Sequence, residues 1–230
     1  MMSIVKQLIR KDLENKCAGR NVVDAKFNGV ISSSSECYTL VPTIPEGTDG
    51  HQRIGDKIKP RSFIVRGCVQ LDNDYVAENI VPPVTLRLLM LSQKSVKVGS
   101  QTSSSTDIAH LLKDNVGTDV ARAYAGGAFD NFAPINKDLF KVHYDKLVRF
   151  NWDNRLTPAS AAAGTNLTKH FSVKITLPAT LTFDDGNGDW PNNFAPFFCM
   201  GAVCDDGQTP FTASTPFRVR VQSVLYYEDA

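Results

Sequence analysis

The stretch GTDGHQRIGDKIKPRSFIVRG, residues 47–67, joins a cationic loop to the start of an alternating run. From its second half onward, hydrophobic and polar side chains take turns, with hydrophobic ones at Phe63, Val65, Val69 and Leu71. A period of two is typical of a β-strand that packs one face against a core and turns the other to solvent. This stretch therefore indicates a sheet protein.

Seven further runs read as strands. The clearest alternation lies in 139–152, where one predicted face carries Phe140, Val142, Tyr144, Val148, Phe150 and Trp152. Run 84–92 is hydrophobic almost throughout, as expected of a strand covered on both faces. The predicted strands are 36–42, 61–72, 84–92, 139–152, 170–177, 180–183, 195–203 and 217–227.

Eight strands without a βαβ rhythm predict an all-β fold, a single eight-stranded antiparallel jelly roll. Two sheets would form a sandwich with long loops. Helical spacing of hydrophobic residues predicts a short N-terminal helix over 3–16 and another short helix over 107–114. The predicted domains are an N-terminal arm and helix, 1–30, and a jelly-roll domain, 31–230.

Composition limits the possible functions. The chain has 230 residues, 42% of them hydrophobic, so it can bury a sizeable core. Its net charge is only +1, so nucleic-acid binding would need local clusters of cations. No hydrophobic run reaches the roughly 18 residues that a membrane span requires, and no membrane insertion is predicted.

Motifs for catalysis, metals and cofactors are missing from the sequence. The histidines form no close pair, and the five cysteines have irregular spacings that favour buried free thiols. The acidic turn 184–189 departs from the EF-hand pattern. No nucleotide-binding motif or nucleophile elbow is present. We therefore predict no enzyme activity, no metal and no cofactor.

Basic side chains concentrate near the N-terminus, in the loop before residue 61 and on the polar faces of later strands. A single one of them is ordinary solubilising charge. Together they would form a phosphate-binding surface without base specificity. The candidate nucleic-acid-binding residues are Lys6, Arg10, Lys11, Lys16, Arg20, Arg53, Lys141, Arg218 and Arg220.

Residues 47–58, followed by a strand that contains Val65-Arg66-Gly67, resemble a segment of the capsid proteins of circular, Rep-encoding single-stranded DNA viruses, the circovirus-like group. In that family a Gly-Thr-rich turn leads into Gln-Arg-Ile-Gly and then into the second jelly-roll strand. The resemblance implies an assembly motif of Gly47, Gln52, Arg53, Ile54, Gly55 and Lys57. Arg53 would hold an acidic loop or a phosphate, or form an internal ion pair with Asp49 or Asp56.

The resemblance also implies a function. It is that of a viral coat protein that self-assembles into a small icosahedral shell of about 60 copies around circular single-stranded DNA. The virion would assemble inside the host cell, for instance in its nucleus, and would use a host receptor that the sequence does not identify. The family usually begins with a dense basic arm, whereas the first 26 residues here carry six cations against three acids.

Two alternatives stay open at this stage. The same fold serves coat proteins of single-stranded RNA viruses. It also serves cellular carbohydrate- or receptor-binding modules, which need an exposed aromatic platform. Trp190, beside Pro191, is the candidate for such a platform.

Overall fold

The computed structural model describes residues 16–71, 83–99, 105–113, 121–150, 168–184, 188–204 and 217–229. These ranges are mostly extended and include two short helical segments, the 3₁₀ turn Ser34–Glu36 and the helix α1 (Ser105–Ile108). In chain order, the strands are β1 (Lys16–Phe27), β2 (Tyr38–Thr39), β3 (Lys57–Leu71), β4 (Val84–Gln93), β5 (Leu112–Lys113), β6 (Ala121–Arg122), β7 (Phe140–Phe150), β8 (Thr168–Ile175), β9 (Leu181–Thr182), β10 (Pro196–Cys204) and β11 (Phe217–Asp229).

Two antiparallel sheets form the body of the fold. Sheet 1 has the strand order β1-β11-β3-β8, with β9 paired to the start of β3, and sheet 2 has the order β2-β10-β4-β7. The eight strands of these two four-stranded paths can be counted in chain order. The first then pairs with the eighth, the second with the seventh, the third with the sixth and the fourth with the fifth. A long hairpin rolled up on itself has this pairing, which defines the jelly roll. The predicted all-β, two-sheet antiparallel fold is confirmed.

The central core lies between the two sheets and is rich in aromatic rings. Phe171 of sheet 1 stacks on Phe198 of sheet 2 with ring centroids 5.7 Å apart. Phe27 meets the same Phe198 ring edge-on at 5.9 Å. Offset-stacked and edge-to-face pairs are the favoured aromatic geometries, so these rings bind the two sheets together beyond the burial of their area.

A second hydrophobic cluster covers the outer face of sheet 2. Leu86 and Leu88 of β4 point into the central core, whereas Leu89 and Leu91 point into this second cluster. The connection between β4 and β7 supplies its other side, with Tyr124 fully buried. The continuous hydrophobic run in β4 is therefore explained as predicted, because both faces of this strand are covered.

A bulge in β7 corrects the predicted faces of 139–152. The register of β7 with β4 shifts at His143. A bulge transfers the residues beyond it to the opposite face of the sheet. Phe140 and Val142 accordingly pack in the second cluster, while Tyr144 packs against the central core. The prediction that all of them share one face is wrong.

The N-terminal boundary also needs correction. β1 begins at Lys16 and pairs with β11 along its length, so part of the predicted arm, 1–30, belongs to the sandwich. The predicted helix over 3–16 lies outside the described residues except for Lys16. Run 180–183 gives only the two-residue β9, and β1 is the missing eighth strand. The strand after the motif loop, β3, is thus the third of the jelly roll.

Smaller predictions were revised as well. The predicted helix over 107–114 is only α1, after which Leu111 and Leu112 enter the second cluster. Cys17 is exposed, although three of the five free cysteines are buried as predicted. Within the described ranges, no helix is long and apolar enough to cross a membrane.

Candidate nucleic-acid interface

The motif loop of residues 47–58 is a tightly folded turn beside sheet 1. Gly47 donates its N–H to the carbonyl of Arg53 at 2.9 Å, and a Cβ on Gly47 would lie 2.0 Å from the Gln52 side chain. Gly55 has φ +78°, a left-handed conformation that favours glycine. Backbone geometry therefore favours glycine at position 55, whereas a larger residue at position 47 would require the Gln52 side chain to move.

Arg53 is the centre of this loop and is an internal residue. It is 4% exposed, and its guanidinium lies over the Phe183 ring at 4.6 Å and donates a hydrogen bond to the Gly55 carbonyl. Its nearest carboxylates are Asp56 at 3.7 Å and Glu46 at 3.8 Å. The geometry fits the internal ion-pair alternative, with Asp56 but not Asp49 as the partner, and does not present Arg53 to a phosphate.

The other motif residues divide between anchoring and exposure. Gln52 accepts the Asp49 N–H on Oε1 at 3.0 Å and holds the turn closed. Ile58 is fully buried and anchors the end of the loop. Ile54, by contrast, is 59% exposed. Lys57 is exposed at the first position of β3.

Two predicted cations of β1 are also occupied by the fold. Lys16 is 4% exposed, forms an ion pair with Asp229 at 2.8 Å and donates to the Gln52 carbonyl at 3.1 Å. Arg20 lies over the Trp190 ring at 5.1 Å, and burial lowers the pKa of its guanidinium. Lys16 is thus a structural cation, and Arg20 covers an aromatic side chain.

Cations from four neighbouring strands meet on the outer face of sheet 1. Cross-strand pairing places Lys26 of β1 beside Arg218 of β11, Gln222 beside Arg66 of β3, and Ile64 of β3 beside Lys174 of β8. Because side chains alternate across a strand, the members of these rows all point away from the core. We call this surface the basic face, and its charged members are Lys26, Arg66, Lys174, Arg218, Arg220 and Asp24.

The basic face carries an excess of positive charge. Among the residues that the structure describes, it has five cations against one carboxylate, a net charge of +4, whereas the whole chain carries +1. At the far end of the same sheet, Arg61 and Glu228 form a bidentate pair and cancel one another. Positive charge is therefore concentrated rather than spread evenly, which is the electrostatic footprint expected of a polyanion-binding surface.

A bulge in β1 places Asp24, the one carboxylate of the basic face in the described part of the chain. The register of β1 with β11 shifts between Val22 and Ala25, and Asp24 has φ 50°. This left-handed conformation is one that Asp and Asn tolerate better than most residues. Asp24 Oδ1 accepts a hydrogen bond from Arg220 Nε at 2.7 Å, and this bond raises the pKa of the guanidinium.

An open depression of about 480 Å³ lies at the centre of the basic face. Its lining includes the apolar residues Val22, Val23, Phe171 and Val221. Polar side chains from all four strands also border it: Asn21, Arg66, His170, Ser172, Arg220 and Gln222. Hydrogen-bond donors and cations around a shallow, open surface suit an extended phosphate backbone, because such contacts position a strand without reading its bases.

Sequence reasoning placed three members of this surface, Arg218, Arg220 and Lys174, on polar strand faces that could bind phosphate together, and it missed the rest of the grouping. Arg218 and Arg220 were predicted to contact nucleic acid, and both lie on the basic face. Lys141, predicted with them, lies on sheet 2 and borders a different depression with Ser92 and His143. Lys6, Arg10 and Lys11 lie outside the described residues.

Lys26 and Arg66 were missed as phosphate-binding candidates, and Lys174 was left off the candidate list. Arg66 and Lys174 lie in predicted strands, and Lys26 lies in β1, which was not predicted. The alternation of side chains along each strand shows that all three point outward. Which outward residues become neighbours depends on the strand order of the sheet, and single-strand patterns do not contain that information.

The aromatic platform predicted for a carbohydrate-binding module is not available at Trp190. Its side chain is half-buried against the central core, and Arg20 covers one face of its ring. Exposed aromatic rings occur instead at Phe129 and Phe132. Across the described ranges, no three His, Cys, Asp or Glu side chains come together in a way that could hold a metal ion.

Comparisons with known proteins find similarity only to solved structures and none in sequence. No protein-family model and no curated protein sequence matches the chain. Among solved structures, it is similar to a chain of Desmodium yellow mottle tymovirus, with 10% identity over 94% of this chain and 87% of that one and a TM-score of 0.34. It is also similar to a chain of Mud crab tombus-like virus, with 11% identity over 98% and 97% and a TM-score of 0.31. The fold assignment rests on the strand pairing of the chain itself.

Proposed function

We propose that this chain is a viral coat subunit that self-assembles into a closed shell around a single-stranded genome, which the basic face contacts. The observation that carries the proposal is the net charge of +4 that the described residues place on the outer face of sheet 1, in a chain that is nearly neutral overall. The jelly-roll strand order and the resemblance of residues 47–67 to circovirus-like capsid proteins agree with it.

The basic face supplies a physical route to packaging from the sandwich itself. Each subunit offers a handful of phosphate contacts, so a free subunit binds single strands weakly and loses them as salt rises. A closed shell repeats the same face in every copy and holds many phosphates of one molecule at once, and this multivalency retains nucleic acid that one subunit would release.

Within this proposal, the genome is single-stranded DNA because residues 47–67 resemble circovirus-like capsid proteins. Phosphates are common to DNA and RNA, so the basic face itself fits both. Purified particles would be opened and their contents treated with deoxyribonuclease or ribonuclease in parallel. Digestion by ribonuclease alone would replace the DNA proposal by the RNA coat protein, and digestion by deoxyribonuclease alone supports the DNA proposal.

Electron microscopy of the purified protein tests the shell. We expect uniform closed particles, whereas a persistent monomer or trimer that binds glycans would overturn the coat function in favour of a carbohydrate-binding module. The ratio of ultraviolet absorbance at nucleic-acid and protein wavelengths then measures packaging.

Three matched triple variants locate the contact. The first removes charge from the basic face (Lys26→Gln, Arg66→Gln, Lys174→Gln), the second from the N-terminal segment (Lys6→Gln, Arg10→Gln, Lys11→Gln) and the third from exposed positions near or on sheet 2 (Lys137→Gln, Lys141→Gln, Lys146→Gln). We expect the first to empty the particles most. Lys16 and Arg53 are left unchanged because their loss would damage the fold. Full particles from the first variant and empty ones from the second would assign packaging to the N-terminal segment instead.

A further inference from the structure

Two phenylalanine rings stand in solvent on the connection between β6 and β7. Phe129 is 79% exposed and Phe132 is 77% exposed, the two most exposed large hydrophobic side chains in the part of the chain that the structure describes. Leu147 of the neighbouring β7 is 41% exposed. An exposed group of large hydrophobic side chains indicates an interaction site more often than it indicates ordinary surface.

The turn that carries these rings is anchored by buried polar groups. Asp130, between them, is 1% exposed and accepts the N–H groups of Ala125 at 2.8 Å and Gly127 at 3.0 Å. Asn131, which is also buried, accepts a hydrogen bond from the Tyr124 hydroxyl at 2.5 Å. Buried carboxylates and amides are kept only where their hydrogen bonds are satisfied, so this turn has one defined conformation.

Arg87 fixes the same turn to sheet 2. Its guanidinium forms a bidentate pair with Asp145 at 2.8 and 2.6 Å and donates to the carbonyls of Asp130 at 2.8 Å and Ala133 at 2.7 Å. The arginine is 5% exposed. Exposure of the two rings is therefore built into the fold and does not result from a frayed loop.

A depression of about 350 Å³ lies directly beside the rings. Ala128, Phe132, Leu147 and Val203 supply much of its apolar lining, and Arg149 stands at the same depression. An enclosed apolar cavity of about 150 Å³ already accepts benzene, so this open depression has room for one phenyl ring. The surface thus presents a projecting ring, Phe129, next to a hollow that fits such a ring.

We propose that this surface, Ala128, Phe129, Phe132, Leu147 and Val203, binds the same surface of a second copy of the chain. In a contact with two-fold symmetry, a patch must be complementary to itself. A ring beside a ring-sized hollow meets that condition, because Phe129 of each copy enters the hollow of the other. The need for contacts between copies rests on the proposed coat function, while the ring-and-hollow geometry is independent of it.

The area of the contact predicts how strong it is. Each phenylalanine buries about 150–250 Å² when fully covered, so the exposed parts of four rings in a pair contribute about 600 Å². Stable interfaces bury about 1,200–2,000 Å² in total. The rings therefore provide about half of a small interface. Two free subunits pair weakly, and a shell that adds other contacts makes the same pairing permanent.

Sedimentation velocity of dissociated subunits in high salt tests the pairing separately from shell assembly, because salt screens phosphate contacts but not apolar ones. Phe129→Ser should weaken dimerisation at least about 100-fold, since one ring is lost from each copy. Phe129→Leu, which keeps an apolar side chain, should retain most of it. Circular dichroism of each variant verifies the fold.

A mixing experiment tests the ring-in-hollow geometry. Leu147→Arg fills the hollow and leaves Phe129 in place, so it should block self-pairing as Phe129→Ser does. A mixture of these two variants can still insert the ring of one into the hollow of the other, and we expect heterodimers that neither variant forms as homodimers. No heterodimer in the mixture would overturn the two-fold geometry.

The outcomes separate this inference from the coat function. Particles from both the wild type and Phe129→Ser, with equal dimerisation, would overturn the contact and leave the coat function standing. Dimers that depend on Phe129, without particles from the wild type, would support the contact and overturn the coat function. Flotation with neutral phosphatidylcholine vesicles adds a further arm, and binding that depends on Phe129 in a monomeric protein would replace the second copy by a lipid surface.

Discussion

Replacing Asp24 with asparagine should strengthen the binding of single-stranded nucleic acid. The side chain is the one carboxylate on the basic face among the residues described, and it accepts a hydrogen bond from Arg220 at 2.7 Å. Asparagine keeps the size of the side chain and tolerates the left-handed backbone at φ 50°, so the bulge in β1 should persist. The substitution removes a negative charge from a surface that a polyanion would approach.

The magnitude follows from the geometry of the pair. Arg220 and Asp24 have side chains 56% and 46% exposed, so solvent screens their ion pair and its loss should leave the stability of the fold nearly unchanged. The net charge of the basic face rises from +4 to +5. One additional phosphate contact steepens the salt dependence by about 0.7 and strengthens binding about fivefold at 0.1 M salt.

Fluorescence anisotropy with a labelled oligothymidine, measured over a series of salt concentrations on dissociated subunits, gives both quantities. The matched control is Asp138→Asn, which changes the net charge equally. Asp138 is exposed, pairs with Lys113 and lies away from the basic face. If the control strengthens binding as much as Asp24→Asn, net charge rather than this face governs binding. An unchanged affinity and slope for Asp24→Asn would refute the placement of phosphates on the basic face.

Two further predictions concern stability. Arg53→Ala should lower the free energy of unfolding by about 1–3 kcal/mol, because its buried guanidinium bonds to Gly55 and packs on Phe183, whereas Lys57→Ala should cost less than about 0.5 kcal/mol. Urea unfolding measures both, and equal losses would contradict the internal position of Arg53. Burial lowers the pKa of His143 from 6.5 to about 4, so between these values the unfolded chain binds a proton that the folded chain does not. Stability should be complete above pH 6.5 and decline toward pH 4 by about 1–2 kcal/mol, less than full linkage because the ring keeps some solvent contact. The His143→Gln variant should not show this decline in stability between pH 6.5 and pH 4. The same decline in the variant would contradict the role of His143.

Local patterning was enough to predict the fold class. The alternation in β3 and β11 and the continuous hydrophobic run of β4 each report how many faces of a strand are covered, and this information is local to the strand. Strand β1, whose alternation is the least clear, was missed for the same reason. β1 points Lys16, Ala18 and Arg20 inward or toward the sandwich edge, so its inner face does not look hydrophobic in the sequence.

The positions of the bulges could not be predicted from the alternation along a single strand. His143 adds one residue to β7, and Asp24 lies in a similar shift within β1. An extra residue reverses the face of every neighbour beyond it, yet nothing in the alternation identifies where the partner strand fails to match.

The sequence alone determined that this chain makes an antiparallel sandwich, because the spacing of hydrophobic residues along each strand decides which face it buries. Only the tertiary structure decided which cations lie together. Strand order brought Lys26, Arg66, Lys174, Arg218 and Arg220 onto one face, turned Arg53 and Lys16 inward and put Lys141 on the other sheet. The physical reason is that a side chain's direction is set by its own strand, whereas its neighbours are set by pairing with strands about two hundred residues away. Asp24 and Arg220, for example, are 196 positions apart in the sequence.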